Sequence, residues 1–156
     1  MRLFLFTILC FVYTLPEIDI NDIRTSFKHS HESEVQAEQF YEITEKAVKE
    51  EKAIYTAYHG AALTLKAAHC NFFSKLSYFK KGKKLVEKAI EEEPDNIEIR
   101  MIRLCIQYNV PKILGYYKEI ESDKDFILTH VDQINSPDLK KYIEGFIVDS
   151  EIFSEK

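Results

Sequence analysis

The chain has 156 residues, of which 46% are hydrophobic and 30% are charged, a composition that suits one globular domain and excludes a chain disordered throughout. Four glycines and four prolines are too few for the many turns of a β-sandwich or barrel, so the bias is helical. The formal charge of −5 opposes binding to a phosphate backbone, and we expect no nucleic-acid partner.

The chain begins with a pattern typical of an export signal. Met1-Arg2 is a short positive region, and residues 3–15 form an apolar segment shorter than the roughly 20 residues that span a bilayer. We therefore predict a signal peptide over residues 1–15, with membrane contact only through this leader if it stays uncleaved. Lipid attachment at Cys10 is the alternative, although no small residue precedes that cysteine.

Residues 16–33 show no sustained period and predict a linker or a loosely packed N-terminal arm, with one short helical turn at Ile20, Ile23 and Phe27. Residues 34–148 then predict one helical domain, and residues 149–156 a frayed tail. Within the domain, an amphipathic helix over 34–51 precedes a helix over 53–73. The second helix carries small residues on one of its two faces, so we expect neighbouring helices on two sides.

The stretch 95–108 predicts the central helix, because its apolar residues cover nearly the whole circumference. Glu98 stands three residues after Asp95, and we expect these two acids to form a capping box at the helix start. The exception to the apolar surface is one narrow polar stripe. Its members are Asn96, Arg100, Arg103 and Gln107.

Three further start signals follow the central helix. Pro111 predicts a helix that points Ile113 inward. Ser122 or Asp123 is expected to cap another helix. Ser136-Pro137 predicts the last one, with Ser136 as cap and proline at the first position.

Residues 63–96 resemble one tetratricopeptide (TPR) repeat, a helix-turn-helix unit of about 34 residues. The resemblance lies in Cys70, Phe73, Gly82, Val86, Ala89-Ile90 and Pro94. Nearly the whole chain also resembles a group of small, uncharacterised, exported bacterial proteins, in segments such as 58–63, 93–100 and 122–124. This resemblance implies bacterial export and a helical fold. Together these patterns predict an all-α fold of six to seven helices in antiparallel hairpins, forming a TPR-like right-handed array or a compact bundle.

Arg100, Arg103 and Gln107 are the candidate partner-binding residues. Two guanidinium groups one turn apart can hold a carboxylate or phosphate, and the central helix of a TPR-like array lines its concave face. The alternative is pairing within the protein, to acids such as Glu91, Glu92, Asp123 or Asp125, or a solvated strip. The lysines from Lys75 to Lys84 offer a second charged face, for anionic lipid or an acidic partner, unless they are simply solvated.

Cys70 and Cys105 lie about one TPR period apart, so a disulfide between them is allowed in an oxidising compartment, with buried free thiols as the alternative. The five histidines show no preorganised metal-binding spacing, so we expect no metal and no other cofactor. The sequence contains neither a nucleophile elbow nor a glycine-rich phosphate loop, so we expect no catalytic residues.

These observations predict a non-catalytic, exported helical interaction or adaptor protein with a protein partner, in the periplasm, at the cell envelope or secreted. The alternative is a small hydrolase or ligand-binding protein with a pocket between helices. A deep cavity with a buried histidine or carboxylate would favour the alternative, whereas a shallow charged surface would favour the interaction protein.

Overall fold

Seven α-helices and no strand are found in the part of the chain that the structure describes. The computed structural model describes residues 18–154, without the side chains of Phe72 and Phe73. The predicted all-α fold is thus confirmed as a compact helical bundle, while the predicted signal peptide lies outside the described residues. The helices are α1 (Ile20–His29), α2 (Glu34–Ala47), α3 (Ala53–Ala68), α4 (Phe72–Glu92), α5 (Ile97–Asn109), α6 (Ile120–His130) and α7 (Pro137–Asp149).

Helix α5 is central, as its apolar pattern predicts. It contacts α3, α4, α6 and α7, and most of its residues are buried. The prediction for its start was wrong, because Asn96 and not Asp95 is the N-cap: its side chain accepts hydrogen bonds from the backbone N–H groups of Glu98 and Ile99. With Asn96 as the cap, Glu98 is the second residue of the helix and not the third, so it does not complete a capping box. Its side chain is directed to a partner inside the bundle.

Helices α3 and α4 form a close hairpin around two glycines. A Cβ atom added to Gly82 would lie 2.5 Å from the backbone oxygen of Gly60, and one added to Gly60 would lie 2.8 Å from that of Gly82. Only glycine allows backbones to approach this closely. Helix α3 also contacts α2 and α5, which confirms that it has neighbours on more than one side.

The N-terminal segment is a docked helix, which corrects the prediction of a linker or loose arm. In α1, Ile23 is fully buried, and the ring of Phe27 lies 5.4 Å from that of Phe40. Arg24 is also buried and forms an ion pair with Glu98 of α5. Local periodicity missed this docking because one residue from a distant helix supplies the partner charge.

The C-terminal end is packed as far as the structure describes it, whereas the sequence predicts fraying. After α7 comes a 3₁₀ turn at Glu151–Phe153, in which Ile152 is buried and Phe153 contacts Phe146 edge to face at 5.5 Å. The predicted start of α7 is confirmed: Ser136 caps it, with proline in the first turn. None of the helices within residues 18–154 has the length and apolar character needed to span a bilayer.

Candidate functional site

The predicted polar stripe of α5 is paired inside the protein. Arg103 and Asp123 form a bidentate ion pair, with Nε–Oδ2 and Nη2–Oδ1 both at 2.7 Å. Asp123 is fully buried and lies inside α6, so the prediction that it caps a helix was wrong. Burial alone would lower the pKa of Arg103, but the hydrogen bonds and charge of Asp123 and the charge of Glu87 outweigh it and raise the pKa.

Arg100 contacts the same Asp123 carboxylate and a backbone carbonyl just before the start of α5. Its Nη1 lies 3.0 Å from Asp123 Oδ1, and its Nε donates to the Pro94 carbonyl at 2.7 Å. Its guanidinium carbon lies 4.1 Å from the centre of the Phe126 ring, a cation–π contact. Among the alternatives from the sequence, pairing to Asp123 within the protein is therefore the arrangement found.

The network continues from Arg103 to the connection between α5 and α6. Arg103 Nη1 lies 3.3 Å from Glu87 Oε2, and the Tyr116 hydroxyl donates to Glu87 Oε1 at 2.5 Å. Tyr116 is buried against Phe79, with ring centres 6.1 Å apart. Burial and the neighbouring Glu87 carboxylate raise the pKa of Tyr116. The hydroxyl therefore stays protonated and donates to Glu87.

Gln107, the third predicted partner-binding residue, also supports this connection. Its side chain is 3% exposed, and its Oε1 accepts a hydrogen bond from the backbone N–H of Glu119 at 3.2 Å. The connection is thus held at Tyr116 through Glu87 and at Glu119 through Gln107. Arg103 and Gln107 therefore lie behind this connection rather than on an exposed surface.

That loop departs from the predicted helix. Pro111 is followed by only one 3₁₀ turn, Lys112–Leu114, which ends at Gly115 with a left-handed φ of 64°. Ile113, expected to point inward, is 94% exposed, and Tyr117 is 45% exposed. The physical reason is that Gly115 stops the helix and Tyr116, rather than Ile113, is buried.

Lysines of α4 lie beside this loop. Lys83 Nζ is 4.7 Å from the centre of the Tyr116 ring, and Lys80 and Leu76 precede Lys83 by three and seven residues, which places all three on one face of the helix. Leu76 is 45% exposed. We define the lysine–loop surface by these three residues and by four of the exposed residues of the loop, and the exposed Glu119 borders it. Its members are Leu76, Lys80, Lys83, Lys112, Ile113, Tyr117 and Lys118.

A second buried charge cluster lies on the other side of α5. Glu98, 3% exposed, pairs with Arg24 and accepts a hydrogen bond from the fully buried Tyr58. Burial, followed by the Glu98 charge, raises the pKa of Tyr58 well above its ordinary value. The sequence held one signal for this cluster: Glu98 is a charged residue on an otherwise apolar face, opposite the polar stripe.

Of the two states that the sequence allows for Cys70 and Cys105, the structure has the free thiols and not the disulfide. Cys105 lies on α5 and Cys70 just beyond the end of α3, so the shared repeat position did not bring them together. Burial raises the pKa of the Cys105 thiol to about 12, which leaves little reactive thiolate at neutral pH.

Two open depressions mark the surface of the bundle. One, of about 360 Å³, lies between the start of α5 and the α6–α7 connection and includes His130; the other, of about 490 Å³, lies between α1 and α2. The buried acids Glu98 and Asp123 line neither. Within residues 18–154 no three His, Cys, Asp or Glu side chains converge as metal ligands would.

No family model, curated protein or solved structure matches the chain. The resemblances to a TPR repeat and to small exported bacterial proteins therefore stay predictions.

Proposed function

We propose that this chain is a non-catalytic helical interaction protein, exported to the bacterial envelope, and that its partner docks on the lysine–loop surface. The observation that carries the proposal is Ile113, 94% exposed on a loop anchored from behind. Burying an isoleucine side chain stabilises by about 1.5–3 kcal/mol. Folding leaves Ile113 exposed, so this gain is obtained only when a partner covers the side chain.

The anchoring of the loop supports a docking role. Tyr116 and Glu119 are tied to buried side chains of α4 and α5, so the loop is held in one shape before contact. A surface held in its binding conformation loses less conformational entropy on association. Arg103 and Gln107, predicted as contact residues, act in this proposal as the support of that surface.

The distribution of buried acids favours this function over a pocket enzyme. Glu98 and Asp123 are each engaged by arginine, at 2.7 Å in both cases. A general acid or base must reach the substrate proton directly or through one water. The buried pairs are built as structural links instead.

Site-specific photo-crosslinking in intact cells tests the proposal. A benzophenone amino acid at Ile113 is expected to give a discrete adduct, to a lipid or to a protein. The matched control is Val148, which is 82% exposed on α7 and is expected to give none. Equal adduct patterns at the two positions, or no adduct at Ile113, would contradict the proposal.

A further inference from the structure

We infer that the partner of the lysine–loop surface is an anionic lipid bilayer, which rests on the proposed function and goes beyond it. The sequence predicts membrane contact through an uncleaved leader and leaves the lysines from Lys75 to Lys84 open to anionic lipid, an acidic partner or solvent. The inference adds a contact made by the folded domain itself, through exposed apolar side chains set among lysines.

The first argument is charge. Four of the seven members of the lysine–loop surface are lysines and none is an acid, although the whole chain carries a net charge of −5. Some lysines elsewhere on the bundle, such as Lys28, Lys66 and Lys140, form ion pairs with acids. Within residues 18–154 Lys80 and Lys118 have no such pair. Their charge is available to an anionic surface.

The second argument is the choice of cation. The three arginines of the described part, Arg24, Arg100 and Arg103, all form internal ion pairs, so the exposed cations are lysines. Protein–protein interfaces are enriched in arginine and depleted of lysine. Lysines around apolar side chains are instead typical of surfaces that bind anionic lipid, where their long stems let the ammonium groups reach the headgroups.

The third argument is the shape of the apolar part. Ile113 is a single aliphatic side chain, 94% exposed, on a turn between Lys112 and Gly115. Tyr117 is 45% exposed, and tyrosine prefers the interface between headgroups and acyl chains. In this arrangement Ile113 enters the acyl boundary, Tyr117 lies at headgroup depth, and the lysines contact the phosphates.

The remainder of the chain orients this contact. Because the net charge is negative while the lysine–loop surface is basic, an anionic bilayer attracts one side of the bundle and repels the rest. The field acts within a Debye length, about 10 Å at 0.1 M salt. The docked protein therefore has one orientation, with the loop toward the lipid.

Vesicle flotation with the full chain tests the inference. We expect stronger binding to vesicles of phosphatidylglycerol and phosphatidylcholine than to phosphatidylcholine alone, and weaker binding as salt rises. Replacing Lys80, Lys112 and Lys118 together by glutamine is expected to weaken binding about a hundredfold, from about fivefold per lysine. Ile113→Ser is expected to weaken it about tenfold.

The matched control for the lysine variant has the same net charge and the same N-terminal residues as that variant. Lys46, Lys49 and Lys141 are exposed lysines outside the surface, and their triple glutamine variant is expected to bind like the parent, as is Val148→Ser. Because every variant carries residues 1–17, their contribution cancels in each comparison. Equal loss in the two lysine variants would overturn the inference.

The two proposals fail differently. No preference for anionic vesicles together with an adduct from residue 113 to a discrete protein would overturn the lipid inference and leave the interaction function standing. No vesicle preference together with no adduct at residue 113 would overturn both. Anionic preference lost only in the surface variants supports both.

Discussion

Arg24 and Glu98 are joined by two hydrogen bonds although 74 residues separate them in the chain: Nε–Oε1 is 2.8 Å and Nη2–Oε2 is 2.7 Å. Tyr58 donates to the same carboxylate, and the ring of Tyr142 lies under the Arg24 guanidinium at 5.4 Å. One buried acid on α5 thus links α1, α3 and α7.

Breaking this pair is expected to destabilise the fold strongly. Arg24→Ala leaves the Glu98 charge buried and uncompensated, which costs about 3–5 kcal/mol, measured by urea denaturation. The control is Lys28→Ala on the same helix, whose pair with Asp149 is exposed and is worth about 0–1 kcal/mol. The double variant Arg24→Met, Glu98→Leu should recover only part of the loss, because it removes the buried charge but also the acceptor of the Tyr58 hydroxyl. Equal stabilities for Arg24→Ala and Lys28→Ala would refute the role given to the buried pair.

Removing the charge of Asp123 is expected to have an effect of similar size. Asp123→Asn leaves Arg103 buried without its carboxylate, at a cost of about 3–5 kcal/mol. Asp125→Asn changes an exposed acid two residues away on α6 and should stay within about 0.5 kcal/mol of the parent. Thermal unfolding of both variants measures the difference. A mild Asp123→Asn effect would mean that the network contributes little.

The glycine contact between α3 and α4 predicts opposite effects for one substitution at two sites. Gly82→Ala places a Cβ against the Gly60 carbonyl, so the helices must separate, at about 1–3 kcal/mol. Gly145→Ala in α7 meets nothing within 4 Å and should stabilise by about 0.5–1 kcal/mol through helix propensity. The urea midpoints of the two variants, compared with that of the parent, measure both changes in stability. Stabilisation by Gly82→Ala would show that the close approach is not maintained.

Gln107 is expected to control the local stability of the loop. Gln107→Ala removes the acceptor of the Glu119 N–H, so amide hydrogen exchange at Glu119 should become faster. Ile113→Ser touches no anchor and should leave that rate unchanged. Hydrogen exchange followed by nuclear magnetic resonance measures the rate at the Glu119 amide in both variants. Unchanged protection of Glu119 in Gln107→Ala would mean that the loop is held elsewhere.

His59 is expected to make stability fall with acidification. Its Nδ1 lies 3.2 Å from the buried Thr44 Oγ1, and burial lowers its pKa below the ordinary 6.5. The unfolded chain therefore binds the proton first as pH falls below about 6.5, so unfolding becomes more favourable with decreasing pH until the folded-state pKa is passed. His59→Gln should flatten the slope of the unfolding free energy between about pH 7 and 5. An unchanged slope in His59→Gln would contradict the role given to this histidine.

The periodic elements of the fold were predictable from the sequence. Apolar residues around nearly the whole of α5 indicated its central place, and Ser136-Pro137 marked the start of α7, because both signals act over a few residues. The small residues of α3 also correctly indicated close neighbours.

The pairings across the bundle were harder to predict. The sequence offered Arg103 four acids, and only the packing of α6 on α5 selects Asp123. Arg24 gave no local signal, because its partner is 74 residues away. Ile113 was placed inside because an apolar residue after a helix-start proline usually continues a buried face. Nothing local showed that Tyr116 would take the inward position.

The ion pair between α1 and α5 also joins segments that are far apart in the chain. During synthesis, which proceeds from the N-terminus, Arg24 is made 74 residues before Glu98. Arg24 therefore cannot form this ion pair until α5 has been made. Helix α1 alone has ten residues, below the roughly 12–15 at which an isolated helix becomes marginally stable. Helix α1 therefore depends on tertiary contacts for its stability, with α2 through Phe27 and Phe40 and with α5 through Arg24 and Glu98.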